Sequence, residues 1–337
     1  MNNVYFVGSN KLYPIKLQPV FKDYIWGGSR LCDIFHKKSD LSHIAESWEL
    51  STQAESCCKV SNGVHAGKLL SDIFNIDRER ILGKNCNRFK DFPVLIKFID
   101  AGENLSLQVH PDDTYAKFNF GSYGKSEMWY VCDALPGAKI ILGFKRVITK
   151  NEFIKHITEN TLAEVIREIP VRKGDVFFVK SGTLHAIGKG VLIAEIQQNS
   201  DLTFRVHDYG RVDKDGLPRE LHIDDALMVT DLKPSAGDLR GTNIHNRDGS
   251  TLLIEHDCFI VYKIDIKGSY IINVGSDSFC SLLVTDGAGI LVYNEDGKKR
   301  EMALLCGDSL FIPAGFGKFE IRGNCTILKT LVGEKQK

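Results

Sequence analysis

A twelve-residue pattern occurs twice in this chain, 133 positions apart. Gly174-Asp175-Val176-Phe177-Phe178-Val179-Lys180-Ser181-Gly182-Thr183-Leu184-His185 lines up without a gap against Gly307-Asp308-Ser309-Leu310-Phe311-Ile312-Pro313-Ala314-Gly315-Phe316-Gly317-Lys318. Each copy reads as a Gly-Asp turn, a short apolar strand and a second glycine-bearing turn. Two copies of one turn–strand–turn unit predict two related β units in tandem. The first copy ends on a histidine and the second on a lysine, so only the first keeps a side chain that binds transition metals well.

The rest of the sequence agrees. Short β-branched or aromatic runs recur at Val94–Ile99, Leu105–Val109, Met128–Cys132, Val176–Val179, Val191–Ile196 and Leu202–Val206, and again at Phe259–Ile266, Ser281–Val284, Gly289–Val292, Ser309–Ile312 and Thr326–Thr330. Such a density of short strands predicts an all-β sandwich or barrel architecture. Two helical stretches interrupt it: residues 150–168, with Phe153, Ile154, Ile157, Leu162, Val165 and Ile166 near a 3.6-residue period, and a shorter one at Glu220–Met228. The Pro- and Gly-bearing segment Leu232–Asp248 reads as the connection between units. The expected division is therefore 1–231 for the first unit, with its helical insertion, and 232–337 for the second.

Charge excludes some functions. The 43 basic and 43 acidic side chains cancel, which argues against binding a nucleic-acid backbone. No run approaches the roughly 18 apolar residues of a membrane span, and the N-terminus lacks the basic-then-apolar form of a signal peptide. Nine scattered cysteines without a CxxC pair suggest neither a disulfide framework nor a cysteine zinc site, so a reduced, cytoplasmic protein is expected.

The candidate metal ligands are Gln108, His110, Glu127 and His185. Gln108 and His110 stand two apart at the end of a predicted strand and so share a face, while Leu107 and Val109 take the other. Glu127 opens the next apolar strand, and His185 closes the first copy of the repeat. Two imidazoles, a carboxylate and an amide oxygen suit Zn²⁺; manganese or ferrous iron would also accept them.

The repeat resembles the second motif of the cupin superfamily, with Lys180 in place of its proline in copy one and Lys318 in place of its histidine in copy two. Leu105–Asp113 (LSLQVHPDD), Lys125–Tyr130 (KSEMWY), Gly182–Ile187 (GTLHAI) and Glu195–Arg211 (EIQQNSDLTFRVHDYGR) resemble the short bacterial branch of the type I mannose-6-phosphate isomerases, as do Trp26-Gly27-Gly28 and Glu46-Ser47-Trp48-Glu49. The resemblance runs from about residue 15 to about residue 330. It implies a mainly β fold of two cupin (jelly-roll) units, the second degenerate, with one zinc ion per chain on Gln108, His110, Glu127 and His185. It also implies a small sugar-phosphate substrate and a monomer or homodimer. The chain departs from the family at Ser126, where proline is common before the third ligand, and at Ile187, where some members carry tyrosine.

Aldose–ketose isomerisation moves a proton between C1 and C2 through an enediol(ate), which needs a base and cationic stabilisation of the developing oxyanion. The resemblance implies Arg205 as the catalytic arginine, with Glu195, Lys97 and Lys125 lining the site. Lys97, Lys125 and Ser106 are candidates for substrate hydroxyls or phosphate. For the proton carrier, Glu195, His110 and a water on the metal all stay open. Competing readings are another metal-dependent cupin sugar-phosphate isomerase, an isomerase of free mannose, an iron dioxygenase (disfavoured by an amide ligand) and a non-catalytic sugar-binding cupin. The chain shows no Walker A sequence, dinucleotide fingerprint or GxSxG elbow.

Overall fold

In the computed structural model, residues 13–41, 43–212, 215–234 and 244–335 are described. They build three antiparallel sheets. A central six-stranded sheet runs, in spatial order, through Val176–Val179, Glu127–Ala134, Val191–Gln198, Val94–Asp100, Glu46–Leu50 and Val20–Lys22. A five-stranded outer sheet runs through Phe204–His207, Leu107–Val109, His185–Ile187, Lys139–Phe144 and Ile166–Pro170. A nine-stranded C-terminal sheet contains the long strands Phe259–Val274, Cys280–Glu295 and Gly317–Leu331. The protein is mainly β, with the cupin units expected from its repeat.

The repeat survives as geometry. Val176–Val179 and Ser309–Ile312 are both strands, and the glycines before them, Gly174 and Gly307, both sit at φ +91°. That left-handed backbone is open to glycine and strained for most other residues. The two copies diverge at their ends: His185 is buried, whereas Lys318 is exposed.

The central sheet is buried on both faces. Val94, Ile96, Phe98, Met128, Tyr130, Leu192, Ala194 and Ile196 share one core with Leu253, Phe259, Phe279, Phe311 and Leu328 of the C-terminal unit. The alternate residues Ile99, Trp129, Val131 and Ile193 join Leu105, Ile140, Leu142 and Ile187 in the interior between central and outer sheets. Complete burial of one such side chain stabilises by about 1.5–3 kcal/mol, so these two layers dominate the fold energetically. The outer sheet hides its other face, Leu107, Val109, Ala186, Phe204 and Val206, beneath Phe153, Leu162 and Ala226. The interior of the C-terminal unit is filled by Ile264, Leu282, Leu291, Phe319 and Ile321, with Tyr270, Tyr293 and Phe316 packed around them. No helix among the described residues is long and apolar enough to cross a membrane.

Two features differ from the sequence reading. The helical stretch read over 150–168 is an α-helix at Lys150–Thr158, capped by Thr149 and Glu152, followed by a single 3-10 turn at Leu162–Glu164. Asn160, at φ 56°, turns the chain, and Ile166–Pro170 pairs as a strand with Lys139–Phe144. The apolar spacing of Leu162, Val165 and Ile166 that mimics a helical face thus runs through a turn into the start of a strand. The cut at 231/232 is also crossed. Ile15–Gln18 pairs with Ser309–Ile312 on one side and Lys59–Val60 on the other, extending the C-terminal sheet, because Tyr13, Ile15 and Leu17 bury themselves in the core between units. Part of the proposed connection, residues 235–243, lies outside the described residues.

Lys37 stitches the two units electrostatically. Its ammonium lies 2.6 Å from Glu49 Oε1 and donates to the Gly307 carbonyl at 2.6 Å, while Ser47 donates to the same carboxylate. Glu49 is fully buried, and its second oxygen has no partner. A buried pair contributes little net stability against an apolar replacement, but stranding one charge costs about 3–5 kcal/mol. Glu49→Ala is therefore expected to lower the denaturant midpoint by an amount equivalent to about 3–5 kcal/mol, and Lys37→Met/Glu49→Leu by much less. Equilibrium unfolding of the two variants checks this.

Candidate metal centre

The outer sheet sets Gln108 beside His185 as direct cross-strand partners, and Arg205 beside Gln108 on the next strand. Because Leu107, Val109, Phe204 and Val206 take the outward face, Gln108 and Arg205 turn inward. His110 follows immediately after its strand, its carbonyl accepting from Gly182 N in the turn that leads to His185. Pro111 and Asp112 then end the strand, and Asp112 caps the helix Asp113–Phe120. From the opposite wall, the central sheet brings Glu127 as the first residue of its strand, paired with Gln197.

These residues converge. The ligand atoms of His110, Glu127 and His185 lie within 4.8 Å of one another. His110 Nε2 stands 3.5 Å from Glu127 Oε2, and His185 Nε2 stands 3.4 Å from Glu127 Oε1. Each imidazole has its Nδ1 2.8 Å from a backbone carbonyl, Leu202 for His110 and Thr183 for His185. Those bonds fix Nδ1 as the protonated nitrogen and leave Nε2 bare, the usual outer support of a metal-binding histidine. Burial, followed by nearby Lys125, holds His110 well below the ordinary imidazole range. Burial pushes His185 down to about 4. Both rings are thus neutral, the form that coordinates.

Glu127 is completely buried, and its Oε1 accepts no hydrogen bond. Burial, reinforced by the neighbouring Glu195, pushes its carboxyl upward; Lys125, 2.5 Å from Oε2, opposes this. A buried carboxylate with one oxygen toward each of two neutral imidazoles, and one of those oxygens unpartnered among the described residues, is what a divalent cation would satisfy, so the donor set fits the expected metal. Gln108 is oriented differently from the expected amide-oxygen ligand. Its Nε2 lies 3.4 Å from His185, and its Oε1 accepts from Ser106 at 3.2 Å. A half-turn of the amide exchanges the two atoms, and the Ser106 hydroxyl can serve either arrangement.

The remaining expected site residues surround the same cavity of about 280 Å³. In the central sheet, Trp48, Lys97, Glu195 and Trp129 form a row of cross-strand partners. Lys97 Nζ lies 3.4 Å from Glu46, 3.6 Å from Glu195 and 4.6 Å from the centre of the Trp48 ring. Burial disfavours that ammonium, but Glu46 and Glu195 outweigh it and raise Lys97. Glu195 accepts from Trp129 Nε1 at 3.1 Å. Burial disfavours its charge too, but Lys125 and Lys97 together hold it below the usual carboxylate range. Lys125 also lies 2.9 Å from His110 Nε2. Arg205 donates to the Glu220 carbonyl at 2.7 Å, and its Nε is buried without a partner.

The cavity also includes residues to which the sequence reading gave no role: Tyr24, Trp26, Glu46, Trp48, Asp201 and Arg219. Glu46 and Trp48 stand in the Glu46-Ser47-Trp48-Glu49 block, and their period-2 spacing could have marked them as one face of a strand. Arg219 had no comparable signal, since it reaches the cavity from the loop before the helix Ile223–Val229.

Comparison with known proteins agrees with this geometry. Residues 15–131 match the family description "Phosphomannose isomerase type I, catalytic domain", and residues 249–332 match "Mannose-6-phosphate isomerase, cupin domain". The mannose-6-phosphate isomerase ManA of Bacillus subtilis is 36% identical over 317 residues, 92% of this chain and 96% of that protein. The mannose-6-phosphate isomerase of Streptococcus mutans is 34% identical over 316 residues, 94% of this chain and 97% of that protein. A crystal structure of the Bacillus subtilis mannose 6-phosphate isomerase superposes with a TM-score of 0.85 at 36% identity, covering 94% of this chain and 99% of that one. Full-length similarity at this level, joined to the buried His110–Glu127–His185 cluster, places the chain in the type I mannose-6-phosphate isomerase family.

Proposed function

We propose that this protein interconverts mannose 6-phosphate and fructose 6-phosphate through an enediol(ate), with one zinc ion on Gln108, His110, Glu127 and His185. The observation that carries the reading is the buried Glu127 carboxylate, with Oε2 toward His110 and Oε1 toward His185 and unpartnered among the described residues, beside a cavity lined by Glu195, Lys97, Lys125 and Arg205. A divalent ion there would supply Lewis-acid stabilisation of the substrate oxygens as negative charge develops.

The side chains divide the other tasks. Of the three proton carriers left open by the sequence, Glu195 fits best. Both nitrogens of His110 are committed, Nδ1 to Leu202 and Nε2 to the ligand cluster. Glu195 Oε1 is fixed by Trp129, and its buried Oε2 accepts no hydrogen bond. Lys97 and Lys125 keep it ionised, so it is ready to take the C2 proton and return it at C1. Lys97, held between Glu46 and Glu195, offers donors to the sugar hydroxyls. Arg205, one strand from Gln108, lies where its guanidinium can face the developing enediolate. Trp26, Trp48 and Trp129 line the cavity with apolar surface that limits water around the reacting carbons.

Two results test this. The purified protein should hold about one equivalent of zinc per chain, lose mannose 6-phosphate isomerisation on treatment with a chelator, and recover it on adding zinc back. His185→Ala should lose both the metal and the activity; full turnover by metal-free protein would sink the proposal. Glu195→Gln should keep its metal, by elemental analysis, while kcat falls by about 10²–10⁴-fold. The same variant should also lose exchange of the substrate C2 proton with solvent, read by NMR. Retained exchange would move the base elsewhere.

A further inference from the structure

The geometry points to Arg219, clamped by Asp208, as the residue that receives the substrate's phosphate and so distinguishes a phosphorylated sugar from a free one. The inference rests on the isomerase reading for its substrate, but its carrier is a separate group of charges, reaching the same cavity from the loop before the helix Ile223–Val229.

The two lysines that the sequence offers for a phosphate are already committed. Lys97 is 6% exposed between Glu46 and Glu195, and Lys125 is 4% exposed against Glu127. A phosphate dianion brought to them would be stripped of water beside three buried carboxylates. These lysines also belong to the reacting end. In a hexose 6-phosphate the phosphate is at the opposite end from C1 and C2, so it must lie away from the metal cluster.

Around Asp208 the balance of charge is reversed. Asp208 is 6% exposed and holds two arginines. Its Oδ2 accepts Arg219 Nε at 2.7 Å, and its Oδ1 accepts the Nη2 atoms of Arg219 and Arg211 at 2.5 Å each. Arg211 is spent structurally: it also donates to the Asn104 carbonyl and lies 5.2 Å from the Tyr209 ring centre. Arg219 is not. Asp208 occupies its Nε and Nη2 and leaves Nη1 without a hydrogen bond among the described residues, and the side chain lines the catalytic cavity. Arg205 stands close by. Burial and then the like charge of Arg219 lower its guanidinium from the ordinary arginine range. The segment carrying Arg219 is stitched to the Arg205 strand by the Arg205–Glu220 bond and by His222 N donating to the Arg205 carbonyl at 2.8 Å.

Two guanidinium groups therefore share one buried carboxylate, Asp208, and Arg205 adds a third positive charge nearby, with exposed Asp201 also lining the cavity. Like charges held together in this way favour an incoming dianion, and a guanidinium with a fixed plane binds phosphate by paired hydrogen bonds. Asp208 acts through Arg219 and is a positioning residue. Arg205, next to Gln108, remains with the reacting carbons.

The test uses the zinc-loaded full chain, with inorganic phosphate as a probe that needs no turnover. Arg219→Gln should raise KM for mannose 6-phosphate by about tenfold or more, the value of one or two charged hydrogen bonds, with kcat and zinc content nearly unchanged. It should weaken competitive inhibition by inorganic phosphate to a similar extent, and abolish the rise in melting temperature that phosphate gives the unaltered protein. Arg219→Lys should recover part of both effects, and Asp208→Asn should raise KM with a smaller loss in kcat. An active isomerase whose Arg219→Gln variant keeps its KM and its phosphate protection overturns the inference. Failure of the isomerase reading has a different signature: an unaltered protein inactive on mannose 6-phosphate, whose phosphate protection still disappears in Arg219→Gln.

Discussion

Burial of the central sheet on both faces is the constraint from which the site follows. A strand in such a sheet cannot turn a charged residue toward water, so each ionisable side chain must find its counter-charge inside. Lys97, Glu195 and Glu127 face the interior between the two sheets because their neighbours Ile96, Phe98, Ala194, Ile196 and Met128 are needed on the other side. Register then sets the partners: Lys97 opposite Glu195, Glu195 opposite Trp129, and Glu127 opposite Gln197. A slip of one residue would drive the Lys97 ammonium into the core shared with the C-terminal unit. The same apolar pattern that folds the sheet thus fixes the order of charges along the cavity.

This gives the C-terminal unit a physical task. Its own interior is filled with Ile264, Leu282, Leu291 and Phe319, and the position matching His185 carries exposed Lys318. What it offers the catalytic unit is a cover. Phe259, Phe279 and Phe311 close the apolar face of the central sheet, with Phe311 4.8 Å from Phe74 and 5.2 Å from Phe279 between ring centres. The N-terminal strand completes the closure by pairing into the C-terminal sheet. The repeated strand Ser309–Ile312 therefore serves packing, with no histidine at the position that matches His185.

Much of this could be read from the sequence where local pattern and long-range structure coincide. The repeat announced two units because its glycines need the same left-handed backbone in both. Gln108 and His110 could be paired because two residues of strand span one pleat. Where a residue enters the site by sheet order or loop path, local pattern says nothing. Glu46 joins the cavity because its strand lies beside Val94–Asp100, far away in sequence. Arg219 joins because a loop is pinned to the Arg205 strand. The helix read over 150–168 failed for a related reason: the 3.6-residue spacing of its second half is produced by a helix end, a turn and a strand that together line one core. Ile15–Gln18 could be recognised as a strand, but its partner, across almost the whole chain, could not.

The donor set itself carries a final consequence. On the proposed ligand set, two neutral imidazoles, an amide and one carboxylate would place a single negative charge around a divalent ion and leave it a net charge near +1. A set with two carboxylates would neutralise the ion and weaken its pull on substrate oxygens. Glu195, the next acid in the cavity, lies beside Glu127 but has one oxygen held by Trp129 Nε1 and its charge balanced by Lys125 and Lys97. The two acids are thereby separated into different roles by their partners, Glu127 aimed between the histidines and Glu195 held ionised beside them. Replacing Lys97 with a neutral side chain would remove that restraint and leave Glu46 and Glu195 as uncompensated buried charges. Under the proposed function, Lys97 would thus guard the metal's charge as well as donate to the sugar.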